Sequence, residues 1–137
     1  MAEEILVKEA LTGEMIAAGA DLTRQLDRTD WPVVGALWFY LHENNAWRLL
    51  IVSPTVTSEG ALAGYRRVHE TLKSFDTPLS LEDLSVVAPE DWRVRTLASA
   101  YATGPEIGGR RVSRTAINGQ FIDDAFVYRL QPVAPAA

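Results

Sequence analysis

The chain has 137 residues, 47% of them hydrophobic, a formal net charge of −5 and no cysteine. That is the size of one ordinary domain, able to bury roughly two-thirds of the surface its unfolded form exposes, and the hydrophobic fraction argues against disorder. The missing thiols exclude disulfides, thiolate nucleophiles and cysteine metal sites, and the negative charge disfavours general nucleic-acid binding, which relies on excess Lys and Arg against phosphate.

The N-terminus, MAEEILVKEA, carries acids where a secretory signal needs bases. The longest apolar run, Trp31 to Leu41, is too short to span a bilayer. A cytoplasmic protein without a membrane segment is the expectation.

Residues 3–28 read as helix, in one or two pieces. Thr12 can cap a second start and Gly13 weakens continuity. Beyond it Met15, Ala18, Gly19, Leu22 and Leu26 form one apolar stripe at helical spacing, on which Gly19 allows close packing. Asp30-Trp31-Pro32 ends this segment. "VVGALWFYL" and "AWRLLIVSP" then read as strands of a hairpin centred on Asn44-Asn45, with Tyr40 opposite Leu49 and Trp38 opposite Ile51. Both faces of that hairpin are apolar, so each needs a cover, by helices or by another copy of the chain.

"TSEGALAGYRRVHETLKSF" reads as one long helix capped by Thr57 or Ser58. Ala61, Tyr65, Val68 and Leu72 face inward, with Leu62 and a partly buried His69 on the shoulder. "LSVVA" is a buried strand. Residues 90–101 read as a third helix with Val94, Leu97 and Tyr101 inward. The order is α-β-β-α-β-α-β-β, and the class is α+β: one domain over residues 1–131 with a mixed five-stranded sheet packed with helices, and a frayed tail at 132–137. Trp38, Phe39, Leu50, Ile51, Leu72, Val86 and Leu97 are the expected core.

The closing stretch, "RRVSRTAINGQFIDDAFVYRL", centres a hairpin on Asn118-Gly119, the strongest short-range signal for a tight turn. In that register Arg114 faces Asp123, Ser113 faces Asp124, and Arg111 is diagonal to Asp124. Adjacent strand residues point to opposite faces, so Asp123 and Asp124 cannot share a metal or a catalytic task unless a bulge intervenes. The arginines and aspartates are thus read as a charged scaffold. The alternative assigns Arg110, Arg111 and Arg114, beside Gly108-Gly109, to an anion-binding surface, extended by Arg93 and Arg95.

His42 and His69, the only two histidines, stand apart in sequence. No nucleophile elbow and no phosphate-loop glycine pattern is present. The expected catalytic residues, metals and cofactors are therefore none. The segments "ALWFYLHENNAWRLLIVSP" and "INGQFIDDAFVYRL" are similar to those of short bacterial proteins of no assigned activity. That resemblance covers much of the chain, implies a bacterial, cytosolic, stand-alone domain, and transfers no catalytic residue. The functional expectation is a non-enzymatic interaction or scaffold module that self-associates as a homo-oligomer. The alternative is an anion-directed protein, meeting an acidic partner protein or a phosphorylated ligand, either as an enzyme on a phosphorylated small molecule or as a nucleic-acid accessory factor.

Overall fold

A computed structural model describes residues 7–132. Four helices and five strands follow in chain order: α1 (Gly13–Asp27), β1 (Gly35–Leu41), β2 (Ala46–Val52), α2 (Thr55–Glu59), α3 (Ala61–Lys73), β3 (Leu84–Val87), α4 (Trp92–Tyr101), β4 (Arg110–Ile117) and β5 (Gln120–Leu130). The strands form one mixed sheet in the order β3-β2-β1-β5-β4. Among the described residues only β2 and β3 run parallel, joined by the α2–α3 crossover. This is the α+β architecture the periodicities indicate, and all seven expected core residues are buried.

The sheet separates two apolar clusters. On one face Leu22 and Leu26 of α1 and Val68 and Leu72 of α3 meet Trp38, Leu49, Ile51 and Tyr128. On the other, Val94 and Leu97 of α4 meet Leu37, Phe39, Leu50, Val52 and Val127. Two substantial helices therefore cover one face, and the ten-residue α4 alone covers the other.

Gly19 sets how closely α1 approaches. A Cβ there would stand 2.9 Å from Trp38 Nε1 and closer still to the Tyr128 hydroxyl. The glycine lets that hydroxyl donate to Ile16 O at 2.6 Å while it accepts from Trp38 Nε1 at 3.0 Å. Burial pushes the Tyr128 phenol up to about 12, against the Trp38 hydrogen bond. Gly19→Ala should cost about 1–3 kcal/mol through overpacking, in spite of the better helix propensity of Ala; unchanged stability in denaturant unfolding would contradict this contact.

Several local expectations need correction. The expected helix over 3–28 begins at Gly13; residues 7–12 are not helical, and 3–6 lie outside the described residues. Thr12 caps α1 by accepting from Met15 N. The preceding strap spends its polar groups on the first hairpin instead. Val7 O accepts from Asn45 Nδ2, Glu9 N donates to Asn45 Oδ1, and Glu9 O accepts from Trp47 Nε1. The first hairpin is shifted by two residues from the expected register, with Tyr40 opposite Trp47 and Trp38 opposite Leu49. Its connection is a short 3₁₀ turn over His42–Asn44, and Asn45 alone takes the left-handed conformation, φ 47°. A slip of two keeps every side chain on its face, so the two-sided apolar character survives.

The expected single helix over 57–75 starts two residues earlier and is broken at Gly60, whose φ of 87° no other residue adopts cheaply. Ala61 and His69 are exposed, while Gly64 and Thr71 join Val68 and Leu72 inside. The third helix starts at Trp92 rather than 90, because Asp91 is its cap and accepts from Arg93 N.

The last hairpin turns at Asn118 and Gly119, φ 49° and 80°, as a type I′ turn demands. Its register matches expectation, with Val112 opposite Ala125 and Ser113 opposite Asp124. Its alternation does not. Val112 and Ala125 are buried against the α4 cluster, and so are Ile117 and Ile122, each an odd number of residues away. Both strands change phase between, at the facing pair Arg114 and Asp123, which is absent from the ladder. Arg114 has φ 47°, a left-handed conformation that costs a long side chain on the order of 1–2 kcal/mol. The change of phase brings the hairpin tip onto α4, where Asn118 Nδ2 donates to Ser99 Oγ at 3.1 Å.

Candidate functional site

The three arginines singled out from the sequence do not converge. Arg111 lies on the α1 face of the sheet and forms a double hydrogen bond to Asp124, at 2.5 and 2.6 Å. Ser113 Oγ donates to the same carboxylate at 2.9 Å, as does Lys8 Nζ at 2.9 Å. Lys8 stands 4.5 Å from the Tyr40 ring centre, and the Arg111 guanidinium 5.3 Å from that of Trp47. The Arg110 guanidinium carbon instead lies 4.5 Å from the ring centre of Tyr101. Arg114 forms no ion pair with Asp123; its left-handed backbone takes it out of the expected pairing. Asp123 turns to Lys8 and to His42 Nδ1, both at 3.5 Å. The adjacent aspartates therefore do share one cation, Lys8, because the change of phase at Asp123 supplies the irregularity that strict alternation lacks.

Arg93, assigned with Arg95 to an extended anion surface, is clamped by Asp91 through Nε at 3.0 Å and through a second donor at 2.9 Å. Gly109 answers a packing need: a Cβ there would lie 2.8 Å from Phe126 Cζ.

The Asp124 centre has an electrostatic signature. Burial disfavours ionisation, but Arg111, Lys8 and Ser113 outweigh it and hold the carboxyl well below the usual carboxylate range. A depressed folded-state value means that stability is fully present above the unfolded value, about 4, and is lost as pH falls through the folded one. Wild type should therefore lose stability progressively below pH ~4. Arg111→Ala should lose less over the same acid range; parallel loss in both proteins, followed by acid unfolding, would refute the coupling.

A groove lies on the other face, at the start of α4. Phe39, Tyr40, Leu41, His42, Glu43, Trp92, Arg93, Arg114, Phe121 and Asp123 line a groove of about 690 Å3. Phe39 forms part of its lining and meets Trp92 edge to face, 6.1 Å between ring centres. The Arg93 guanidinium sits 5.7 Å from the Phe39 ring centre. Trp92 is 51% exposed and Phe121 is 63% exposed, among the few large apolar side chains open to solvent. Sequence reasoning missed this groove. The available signals were Trp92 at the polar start of a helix and Phe121 beside a tight turn, both unsuited to a buried role.

Among the described residues no His, Asp or Glu cluster has the makings of a metal site, and no helix is long and apolar enough to cross a membrane. The chain matches no family model, no curated protein and no solved structure.

Proposed function

We propose that the protein is a non-enzymatic interaction module of a bacterial cytosolic system, and that it self-associates through the groove between α4 and the β4–β5 hairpin. The observation that carries this reading is the pair Trp92 and Phe121, two exposed aromatic side chains on one apolar-lined concavity. Aromatic residues are enriched at the cores of interfaces and supply much of their binding energy. The groove also carries both signs of charge, Arg93 and Arg114 with Glu43 and Asp123. A two-fold arrangement can set the basic side of one copy against the acidic side of the other. The clamping of Arg93 by Asp91 and of Arg111 by Asp124 supports a scaffold role for much of the arginine content.

Sedimentation equilibrium over a wide concentration range tests the proposal. Wild type should dimerise, and Trp92→Ser or Phe121→Ser should raise the dissociation constant about tenfold or more. Both side chains are largely exposed, so the variants should stay folded. A wild type that remains monomeric at high concentration would overturn the reading.

A second reading, an anion-directed protein, draws support from Arg110 and Arg114. Both are exposed and, among the described residues, neither enters an ion pair. Stabilisation of the fold by nucleotides or sugar phosphates, lost on Arg110→Ala, would favour it.

A further inference from the structure

β4 is one outer edge of the sheet. Among the described residues its only strand neighbour is β5, and α4 packs on a face of the sheet. In an antiparallel pair, alternate residues exchange hydrogen bonds with the neighbouring strand and the others direct their N–H and C=O groups away from it. Among the described residues no backbone–backbone turn, loop or cap hydrogen bond uses a group of Arg110–Ile117, although Thr115 Oγ1 donates to Ser113 O at 2.8 Å. Over Arg110–Ser113, ahead of the change of phase at Arg114, the outward backbone groups are thus open to another strand.

The side chains on this edge are unusual in sign. Arg110, Arg111 and Arg114 are all exposed, and β4 contains no acid. Arg111 is neutralised by Asp124, which leaves Arg110 and Arg114 uncompensated among the described residues. The contact of Arg110 with Tyr101 is made by the carbon at the centre of the guanidinium, 4.5 Å from the ring centre. A cation–π contact of that kind does not neutralise the guanidinium charge. These charges also decide who can pair. A second copy adding its own β4 would crowd further arginines onto an edge that holds no acid, which is unfavourable for like charges. An acidic strand would meet complementary charge.

We propose that β4 captures an extended acidic peptide by strand addition, with carboxylates placed against Arg110 and Arg114 and with main-chain hydrogen bonds to the outward groups of the strand. The partner is a protein segment in which acids alternate with β-branched residues. The left-handed residue Arg114 interrupts the strand, so the regular ladder is confined to Arg110–Ser113, and Arg114 engages the peptide by charge beyond it. Arg114 also lines the groove, whereas Arg110 and the backbone of Arg110–Ser113 do not, so strand addition does not rest on the groove's self-association.

The test uses the full chain and two labelled octapeptides, one alternating glutamate with valine and one alternating lysine with valine. Fluorescence anisotropy should show saturable binding of the glutamate peptide only. The double variant R110Q/R114Q, altered at two exposed positions, should weaken it about tenfold or more. In amide exchange followed by NMR, the glutamate peptide should slow an alternating set of β4 amides by about tenfold or more, since strand addition protects the outward groups. Absence of saturable binding by the glutamate peptide, equal binding of the lysine peptide, or binding that leaves β4 exchange unchanged would each overturn the proposal.

Discussion

Asp27→Ala is expected to destabilise the fold by about 3–5 kcal/mol, the cost of stranding a buried charge. The charge is that of Arg129, which is 5% exposed in the penultimate position of β5. Its two terminal nitrogens reach Asp27 at 2.9 and 2.7 Å, and one of them also donates to Val33 O at 3.0 Å. Its Nε has no partner among the described residues. Without Asp27 the guanidinium would keep a single carbonyl for a full positive charge. A counter-effect exists but is small: Asp27 is the last residue of α1, where an acid opposes the helix dipole by about 0.3–1 kcal/mol. The double variant Asp27→Ala/Arg129→Met removes both charges and keeps the volume, and should recover most of the loss. Urea unfolding of the two variants beside wild type decides the matter. A single variant within about 1 kcal/mol of wild type would show that Arg129 is not held as described.

Leu50→Ala is the second large effect, at about 2–5 kcal/mol. Leu50 is fully buried on β2, opposite Leu37 and packed with Val52, Val94 and Leu97 on the face that α4 covers alone. With one short helix above it, that cluster has limited means to collapse into the space left behind, which puts the value in the upper part of the range. A loss under about half a kcal/mol would contradict this account of the α4 face.

What the sequence revealed follows from the range of the forces involved. Thr12, Gly19 and Asn118-Gly119 were legible because caps, close approaches and type I′ turns are set by a few neighbouring residues. The two apolar strands were legible because burial on both faces leaves an unbroken hydrophobic run. Asn45 was only half read. Its place in the turn was visible, but not its side chain, which accepts from the Tyr40 hydroxyl at 2.6 Å and brackets the strap at Val7 and Glu9. The pairing of Asp27 with Arg129 joins residues 102 positions apart, and no local pattern announces it.

The candidate sites divide in the same way. Arg111 with Asp124 followed from hairpin arithmetic, whereas Arg114 with Asp123 failed because strict alternation was assumed. The odd spacing from Val112 to Ile117 and from Ala125 to Ile122 was the available warning that both strands change phase between them. The groove depended on where α4 stops short of covering the sheet, a property of the assembled layers.

The sheet order has a kinetic consequence. β1 lies in the middle, with β2 on one side and β5 on the other. The first pairing closes over a short turn, but the second brings Phe39 to Ala125, 86 residues later in the chain. Local hairpins form in microseconds, whereas long loops must bear their closure entropy before any contact rewards it. The two hairpins should therefore form early and their docking along β1 should limit the folding rate. During synthesis, β1 emerges long before β5 and keeps an apolar edge unpaired until the last strand arrives. Chains cut short before Gln120 should for that reason aggregate rather than fold.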